Sequence, residues 1–218
     1  MKYKLVIFDL DGTLIDTIAD LGGAANEVLR VKGFPRHTLE EYRGMVGHGV
    51  RNLVRKAMPV ALQEDEALLD ELLALFLDYY LQHIDERSRP YPGIPELLAD
   101  LQAAGAQLAV ASNKFQAGPE KLIRRMFPEI GFAVVLGGRS GAPLKPDPAI
   151  VETIRGQVGI SAEETVMVGD SATDIHTAEG AGVGCIAVSW GFRPREALSE
   201  APLVVDTVSQ LRDALLAE

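Results

Sequence analysis

Six short runs of apolar residues, many of them β-branched, recur along the 218-residue chain. They lie at 4–8, 107–111, 133–136, 165–168, 185–188 and 203–205. The runs show no regular alternation of polar and apolar residues, so a strand formed by one of them would be buried on both faces. This pattern predicts a parallel sheet that is covered by helices on both sides.

Helical patterns separate most of these strands. Apolar residues at helical spacing predict helices over 95–104, 119–126, 148–158 and 172–181. Strands and helices in alternation indicate an α/β fold, and specifically a Rossmann-like doubly wound parallel sheet.

One long segment does not follow the alternation. Residues 17–86 contain no convincing strand, and their periodicity predicts helices over 18–31, 38–45, 50–58 and 64–84. About 70 residues are too many for one crossover connection. We therefore predict a helical cap domain over 17–86, inserted into a core domain formed by 1–16 and 87–218. Segment 88–95 contains three prolines and a glycine, which predicts a stiff hinge.

Composition limits the class of protein. Hydrophobic residues make up 47% of the chain and charged residues 24%, as in soluble globular proteins. A net charge of −10 disfavours general binding to nucleic acid or to an anionic membrane. The single cysteine, Cys185, lies in an apolar run and is predicted to be a core thiol. We expect a cytoplasmic protein, monomeric or homodimeric, with no signal peptide and no membrane span.

Polar residues follow four of the predicted strands. The carboxyl ends of parallel strands meet at one edge of a sheet, where ligands bind in folds of this kind. Residues far apart in the sequence are therefore expected to converge there. They are Asp9, Asp11, Ser112, Asn113, Lys145, Asp170 and Asp174.

The chemistry of this set indicates a phosphoryl site. Several aspartates in one crevice repel one another unless a cation such as Mg²⁺ lies among them. A divalent cation with Lys145 and Ser112 beside it suits a phosphoryl group. The D-x-D spacing of Asp9 and Asp11 suits a nucleophile beside a general acid/base.

Four motifs, in order along the chain, resemble those of the haloacid dehalogenase superfamily of phosphotransferases. They are D-L-D-G-T from Asp9 to Thr13, Ser112 in A-S-N-K, Lys145 in L-K-P-D-P, and G-D-S-A-T-D from Gly169 to Asp174. Within the superfamily, Y-P-G-I-P-E-L-L and G-H-G-V-R-N-L-V resemble the phosphoglycolate phosphatases.

The resemblance implies an enzyme that hydrolyses a small phosphomonoester, with 2-phosphoglycolate as the expected substrate, through an aspartyl-phosphate. Asp9 would be the nucleophile, and Asp11 would protonate the leaving group and then activate water. Ser112 and Lys145 would hold the phosphoryl group. The implied Mg²⁺ ligands are Asp9, the Asp11 backbone carbonyl and Asp170, with Asp174 nearby.

Other activities share these motifs. An inorganic pyrophosphatase, a sugar-phosphate phosphatase and a phosphomutase of the same superfamily stay open as alternatives. A phospho-receiver module without enzymatic activity is a more remote alternative. A dehalogenase of the same superfamily is disfavoured, because those enzymes usually lack the second aspartate, here Asp11.

Further residues are predicted to contact the substrate or to have structural roles. Thr13 and Asn113 are predicted to contact the substrate. The loop 47–49 is expected to approach the site, so that Gly47, His48 and Arg51 touch the non-phosphate end of the substrate; a plain helix–helix turn is the alternative. Asp16 is expected to cap the next helix, and Asp174 to bind the metal through water or to orient Lys145. Phe76, Tyr79 and Tyr80 are expected to belong to the cap core rather than to contact a ligand.

Overall fold

Residues 2–217, the part of the chain that this computed structural model describes, form eight strands and nine α-helices. In chain order the elements are β1 (Leu5–Phe8), β2 (Ile15–Asp16), α1 (Ile18–Val31), α2 (Leu39–Met45), α3 (Val50–Ala57), α4 (Glu66–His83), β3 (Arg89–Pro90), α5 (Ile94–Ala103), β4 (Gln107–Phe115), α6 (Ala117–Met126), β5 (Phe132–Gly138), α7 (Ala149–Val158), β6 (Thr165–Gly169), α8 (Ala172–Gly180), β7 (Gly184–Val188), β8 (Val204–Val205) and α9 (Val208–Leu216). Two single 3₁₀ turns lie at Val60–Leu62 and Arg195–Leu198.

Six of the strands form one sheet in the order β5-β4-β1-β6-β7-β8. Every neighbouring pair is parallel, and β1 lies between β4 and β6, with Phe8 opposite Val110 on one side and Val168 on the other. All six predicted strands are therefore confirmed. The strand order reverses at β1, so the residues that follow β1 lie at the position where such sheets bind ligands.

Both faces of the central strand are buried, as the apolar runs predict. All four residues of β1 have no exposed surface. Val6 and Phe8 face a cluster that includes apolar residues of α5 and α9, whereas Leu5 and Ile7 face residues of α7 and α8. The doubly wound α/β fold is thus confirmed.

The segment between β2 and β3 is helical. Helices α1 to α4 lie where the periodicity predicts helices, and α1 packs against α2 and α4. Phe76 and Tyr80 of α4 are fully buried, as predicted for the core of this segment. The Asp65 carboxylate caps α4 by accepting a hydrogen bond from the Leu68 N–H at 3.0 Å. The division of the chain into two domains at 16–17 and 86–87 stays a prediction.

The two connections between the helical segment and the sheet pair with each other. Strands β2 and β3 are antiparallel, and the buried carboxylate of Asp20 ties the second connection to α1. It accepts hydrogen bonds from the backbone N–H groups of Arg87 at 3.0 Å and Ser88 at 2.8 Å, and from Ser88 Oγ at 2.7 Å. One side chain of α1 therefore holds the return connection at the predicted hinge.

Removing the Asp20 carboxylate is expected to lower the free energy of unfolding. Asp20→Ala leaves three hydrogen-bond donors without their acceptor, at a cost of about 3 kcal/mol. Urea denaturation measures this loss. The matched control is Asp100→Ala, which removes an exposed carboxylate paired with Arg212 and should cost less than about 1 kcal/mol. Equal stability of the two variants would contradict the anchoring role.

The composition led to predictions about the single cysteine and about membrane-spanning helices. Cys185 is partly rather than fully buried, and burial, with a smaller effect of Asp174, raises the pKa of its thiol to about 12. The thiol is therefore protonated near neutral pH. Within residues 2–217, no helix combines the length and the apolar character needed to cross a membrane.

Candidate active site

The ends of β1, β4 and β6 and the loop after β5 converge on one cavity between the sheet and the helical segment. Among the residues that line it are Asp9, Asp11, Ser112, Asn113, Lys145 and Asp170. These residues come from four separate stretches of the sequence. The parallel register of β1 with β4 and β6 brings their carboxyl ends together.

Lys145 lies at the centre of the polar part of the cavity. Its Nζ donates to Asp9 Oδ1 at 2.9 Å and to Asp174 Oδ1 at 2.6 Å, and its side chain is 2% exposed. The backbone N–H of Asp9 donates to the Val168 carbonyl at 2.8 Å, which continues the β1–β6 ladder up to the carboxylate. The sheet therefore fixes the position of the Asp9 side chain relative to Lys145.

Crowding and burial shift the pKa values of these groups. Burial raises the pKa of Asp9 to about 7; Lys145 opposes this shift, and Asp174 and Asp11 add to it. Burial, with Asp9 and Asp174, also holds the pKa of Asp170 well above its usual range. Burial alone would lower the pKa of Lys145, but the charges of Asp174 and Asp9 outweigh it and raise that pKa. Asp9 and Asp170 therefore hold protons more strongly than ordinary carboxyl groups unless further positive charge is present.

The donor set fits Mg²⁺. Carboxylate oxygens of Asp9, Asp170 and Asp174 lie within 4.8 Å of one another, and all three residues are buried. Both oxygens of Asp174 already accept hydrogen bonds, one from Lys145 and the other from Ser171 Oγ at 2.6 Å. Asp170 Oδ2 accepts from the Phe192 N–H at 2.7 Å. Within residues 2–217, Asp9 and Asp170 thus each keep one carboxylate oxygen without a donor, whereas Asp174 orients Lys145.

Two glycines leave room for the Asp170 carboxylate. A Cβ added at Gly12 would lie 2.4 Å from Asp170 Oδ2, and one added at Gly191 would lie 2.3 Å from Asp170 Cβ. Gly12 also has a φ of +89°, which side chains other than hydrogen rarely tolerate. The glycine of D-L-D-G-T therefore serves both the turn and the close approach of Asp170.

The raised pKa of Asp9 predicts a link between pH and metal binding. The folded chain keeps this proton up to about pH 7, whereas an unshifted carboxyl has a pKa of 3.8. Between these values the metal-free folded state binds more protons than the unfolded state, so its stability falls as pH rises. Because Mg²⁺ binds the deprotonated form, the rise in Tm on adding Mg²⁺ should grow with pH across this window. Thermal denaturation in Mg²⁺ and in EDTA measures it, and a pH-independent rise would contradict it.

Asp11, the second aspartate of D-x-D, forms a salt bridge with Lys114. Lys114 Nζ donates to both oxygens of Asp11, at 2.9 and 3.0 Å, and the Thr17 hydroxyl donates to Oδ1 at 2.6 Å. The Lys114 side chain is 3% exposed, and its Nζ lies 4.7 Å from the centroid of the Tyr80 ring. The sequence placed Lys114 at a strand end but gave it no role. Its position directly after Ser112 and Asn113 was the available signal.

Ser112 and Asn113 differ in what they offer a ligand. Ser112 Oγ accepts from the Lys114 N–H at 3.2 Å, and its own O–H has no acceptor within residues 2–217. The Asn113 amide donates to the carbonyls of Gly47 and Lys145, both at 2.9 Å, and accepts from the Lys145 N–H at 2.8 Å. Asn113 was predicted to contact substrate. Both of its N–H groups are instead used to join the Lys145 loop to the helical segment.

The loop 47–49 approaches the site through its backbone. Gly47 and Gly49 line the cavity, with φ values of +113° and +81°, whereas His48 is exposed and does not line it. Arg51 points to the surface of α4, where it pairs with Glu66 and Asp70, each at 2.5 Å. The predicted substrate contacts of His48 and Arg51 are therefore absent from this arrangement.

Thr13, the last residue of the first motif, and Asp16, three residues beyond it, lie outside the cavity lining. Thr13 was predicted to contact substrate, but its side chain is fully buried and its hydroxyl has no partner within residues 2–217. Asp16 Oδ1 accepts from the Ile18 N–H at 3.2 Å, at the first residue of α1. Asp16 thus contacts the start of α1, but the N-cap residue of this helix is Thr17 and not the predicted Asp16.

A family model, curated sequences and solved structures all identify similar proteins. Residues 6–188 match the family of haloacid dehalogenase-like hydrolases. A phosphoglycolate phosphatase from Mesorhizobium japonicum is 40% identical over 207 residues, covering 94% of this chain and 91% of the relative. A candidate phosphoglycolate phosphatase from Lactobacillus delbrueckii subsp. bulgaricus, solved by crystallography, is 34% identical with a TM-score of 0.92 and covers 100% of both chains. CbbY from Rhodobacter sphaeroides, solved with phosphate, is 25% identical with a TM-score of 0.81 and covers 96% of each.

The chain therefore belongs to the haloacid dehalogenase-like hydrolase family, which makes it an enzyme of the hydrolase class. The resemblance predicted from the four motifs is confirmed. The structural similarity extends over the whole described chain, including the helical segment.

Proposed function

We propose that the protein is a Mg²⁺-dependent phosphatase that hydrolyses a small phosphomonoester, with 2-phosphoglycolate as its substrate. The observation that carries this proposal is the position of the buried Lys145 between Asp9 and Asp174, at 2.9 and 2.6 Å, in the cavity between the sheet and the helical segment. A carboxylate held against an ammonium group in this way is placed to attack a phosphorus atom whose oxygens the same ammonium binds.

The proposed reaction has two steps. Asp9 attacks phosphorus and forms an aspartyl-phosphate, while Asp11 gives a proton to the leaving oxygen. Asp11 then removes a proton from the water that hydrolyses the acyl phosphate. Lys145 and the Ser112 hydroxyl donate hydrogen bonds to the phosphoryl oxygens throughout. Lys114 and Thr17 hold the Asp11 carboxylate between the steps.

Asp9, Asp170 and the backbone carbonyl of Asp11 are the proposed Mg²⁺ ligands. The free oxygens of Asp9 and Asp170 support the first two, and Asp174 contributes by orienting Lys145. Mg²⁺ bound there would offset charge on the phosphoryl oxygens.

The substrate and setting are part of the proposal. Relatives that match nearly the whole chain carry the name phosphoglycolate phosphatase, which supports 2-phosphoglycolate over pyrophosphate and sugar phosphates. We further propose a cytoplasmic location and a monomer or homodimer.

Phosphate release from a substrate panel tests the function. The panel contains 2-phosphoglycolate, pyrophosphate, glucose 6-phosphate and a nucleoside monophosphate, each assayed with Mg²⁺ and with EDTA. We expect kcat/KM for 2-phosphoglycolate to exceed the others by at least about tenfold, and EDTA to abolish turnover. No turnover of any compound by folded protein would overturn the phosphatase proposal. A preference for pyrophosphate would overturn only the substrate.

A further inference from the structure

Arg193 joins the sheet to the helical segment beside the site. The preceding residue, Phe192, donates its backbone N–H to Asp170 Oδ2 at 2.7 Å, which fixes this stretch next to the carboxylate cluster. The Arg193 guanidinium lines the cavity and donates to the carbonyls of Arg43 and Val46 in the helical segment. Neither the sequence motifs nor the proposed reaction uses this residue.

Among the cations that line the cavity, Arg193 is the one with no salt bridge to a carboxylate within residues 2–217; it acts on Asp170 only through longer-range charge. Lys145 pairs with Asp9 and Asp174, and Lys114 pairs with Asp11. Within residues 2–217, Arg193 has no carboxylate oxygen within 4.0 Å, and its two recorded acceptors are neutral carbonyls. A guanidinium has five N–H donors, so these two bonds leave others for a ligand.

The surroundings strengthen any charge pair that forms at this position. The wall that the helical segment contributes is largely apolar and includes Leu21, Val50, Leu53 and Phe76. An ion pair in such an environment is screened less than one in water. Arginine also binds carboxylates through two parallel hydrogen bonds, which gives it geometric selectivity.

We propose that Arg193 binds the carboxylate of the substrate, so that the cavity selects phosphomonoesters that carry a second anionic group. This inference rests on the phosphatase function proposed above and identifies the residue that recognises the non-phosphate end. The same guanidinium holds the carbonyls of Arg43 and Val46. Binding of the carboxylate therefore stabilises the position of the adjoining loop 47–49 over the site.

The test compares two substrates that differ in the carboxylate. Ethyl phosphate has the phosphate end of 2-phosphoglycolate but no second charge. For Arg193→Met, we expect kcat/KM for 2-phosphoglycolate to fall at least about 30-fold more than kcat/KM for ethyl phosphate, mainly through KM. Arg193→Lys keeps the positive charge but loses the two parallel N–H donors of the guanidinium. We expect this variant to change the ratio of kcat/KM between the two substrates less than Arg193→Met does.

Arg195→Met is the matched control. Arg195 lies two residues further on, is exposed, and pairs with Asp206 at 2.8 Å, away from the cavity. Its removal should leave the ratio of the two substrates within about twofold of the unmodified protein.

Each contrary outcome has a distinct meaning. If Arg193→Met loses equal activity on both substrates, Arg193 only holds the loop and the carboxylate role is wrong. If the unmodified protein prefers a bisphosphate and this preference depends on Arg193, the second group is a phosphate and the carboxylate assignment is wrong. If the unmodified protein hydrolyses neither compound, the proposed phosphatase function fails. The rise in Tm on adding 2-phosphoglycolate, with and without Arg193, then still decides whether Arg193 binds a carboxylate.

Discussion

Replacing Asp9 with asparagine is expected to lower kcat for phosphate release by at least about 10³-fold. Asparagine has nearly the same shape as aspartate, so the hydrogen bonds of the neighbouring strand persist. Its neutral amide cannot form the acyl phosphate that the proposed reaction requires. Steady-state assays with 2-phosphoglycolate measure the loss. Trapping with hydroxylamine, which cleaves acyl phosphates, should detect the intermediate in the unmodified protein alone.

The control for this substitution lies seven residues further along the chain. Asp16→Asn makes the same chemical change just beyond the first motif, but Asp16 contacts the start of α1 and does not line the cavity. We expect its kcat to stay within about threefold of the unmodified value. Wild-type rates in Asp9→Asn would show that the covalent mechanism is wrong.

Replacing Lys114 with methionine is expected to lower kcat about 10²-fold. Methionine fills similar space, but Asp11 loses the ammonium that contacts both of its oxygens. The carboxylate that is proposed to move protons is then held only by Thr17. Circular dichroism and Tm values establish whether the variant is folded.

A double-mutant cycle separates this role from a general structural one. If Lys114 acts through Asp11, then Asp11→Asn together with Lys114→Met should be no slower than Asp11→Asn alone. Independent losses that multiply in the double variant would contradict the positioning role of Lys114.

The six-stranded sheet could be predicted because each of its strands is marked by a pattern within a short stretch of sequence. Each strand is a short apolar run, and burial on both faces removes the alternation that would mark an exposed sheet. Strands β2 and β3 are only two residues long, and they exist because the chain passes the same place twice. A pairing that joins residues so far apart leaves no periodic signal in either segment.

The candidate site could be predicted in part for a related reason. Asp9 and Asp170 directly follow strands, and Ser112 lies in the last part of β4, beyond the apolar run that predicted the strand. Lys145 lies in the loop after β5. Parallel strands bring such positions together. The roles of Asn113 and Lys114 depend on which atoms face them across the cavity, and the sequence does not record that. Lys114 is 103 residues from Asp11, and the guanidinium of Arg193 meets carbonyls about 150 residues earlier in the chain.

For His48 and Arg51 the sequence predicted substrate contacts, but neither side chain lines the cavity. Their motif indicated a loop near the site, and the backbone of Gly47 and Gly49 is indeed there. The side chains of the loop and helix α3 were expected to follow. Arg51 instead forms salt bridges with Glu66 and Asp70, two carboxylates of α4 that lie beside it.

The pairing of β2 with β3 limits how the helical segment can move. Two separate strands of chain would each bend on their own, and the segment could tilt in several directions. Here the two are joined side by side, and Asp20 fastens the return path to the first helix. A movement of the helical segment relative to the sheet would therefore bend both connections together, as one ribbon.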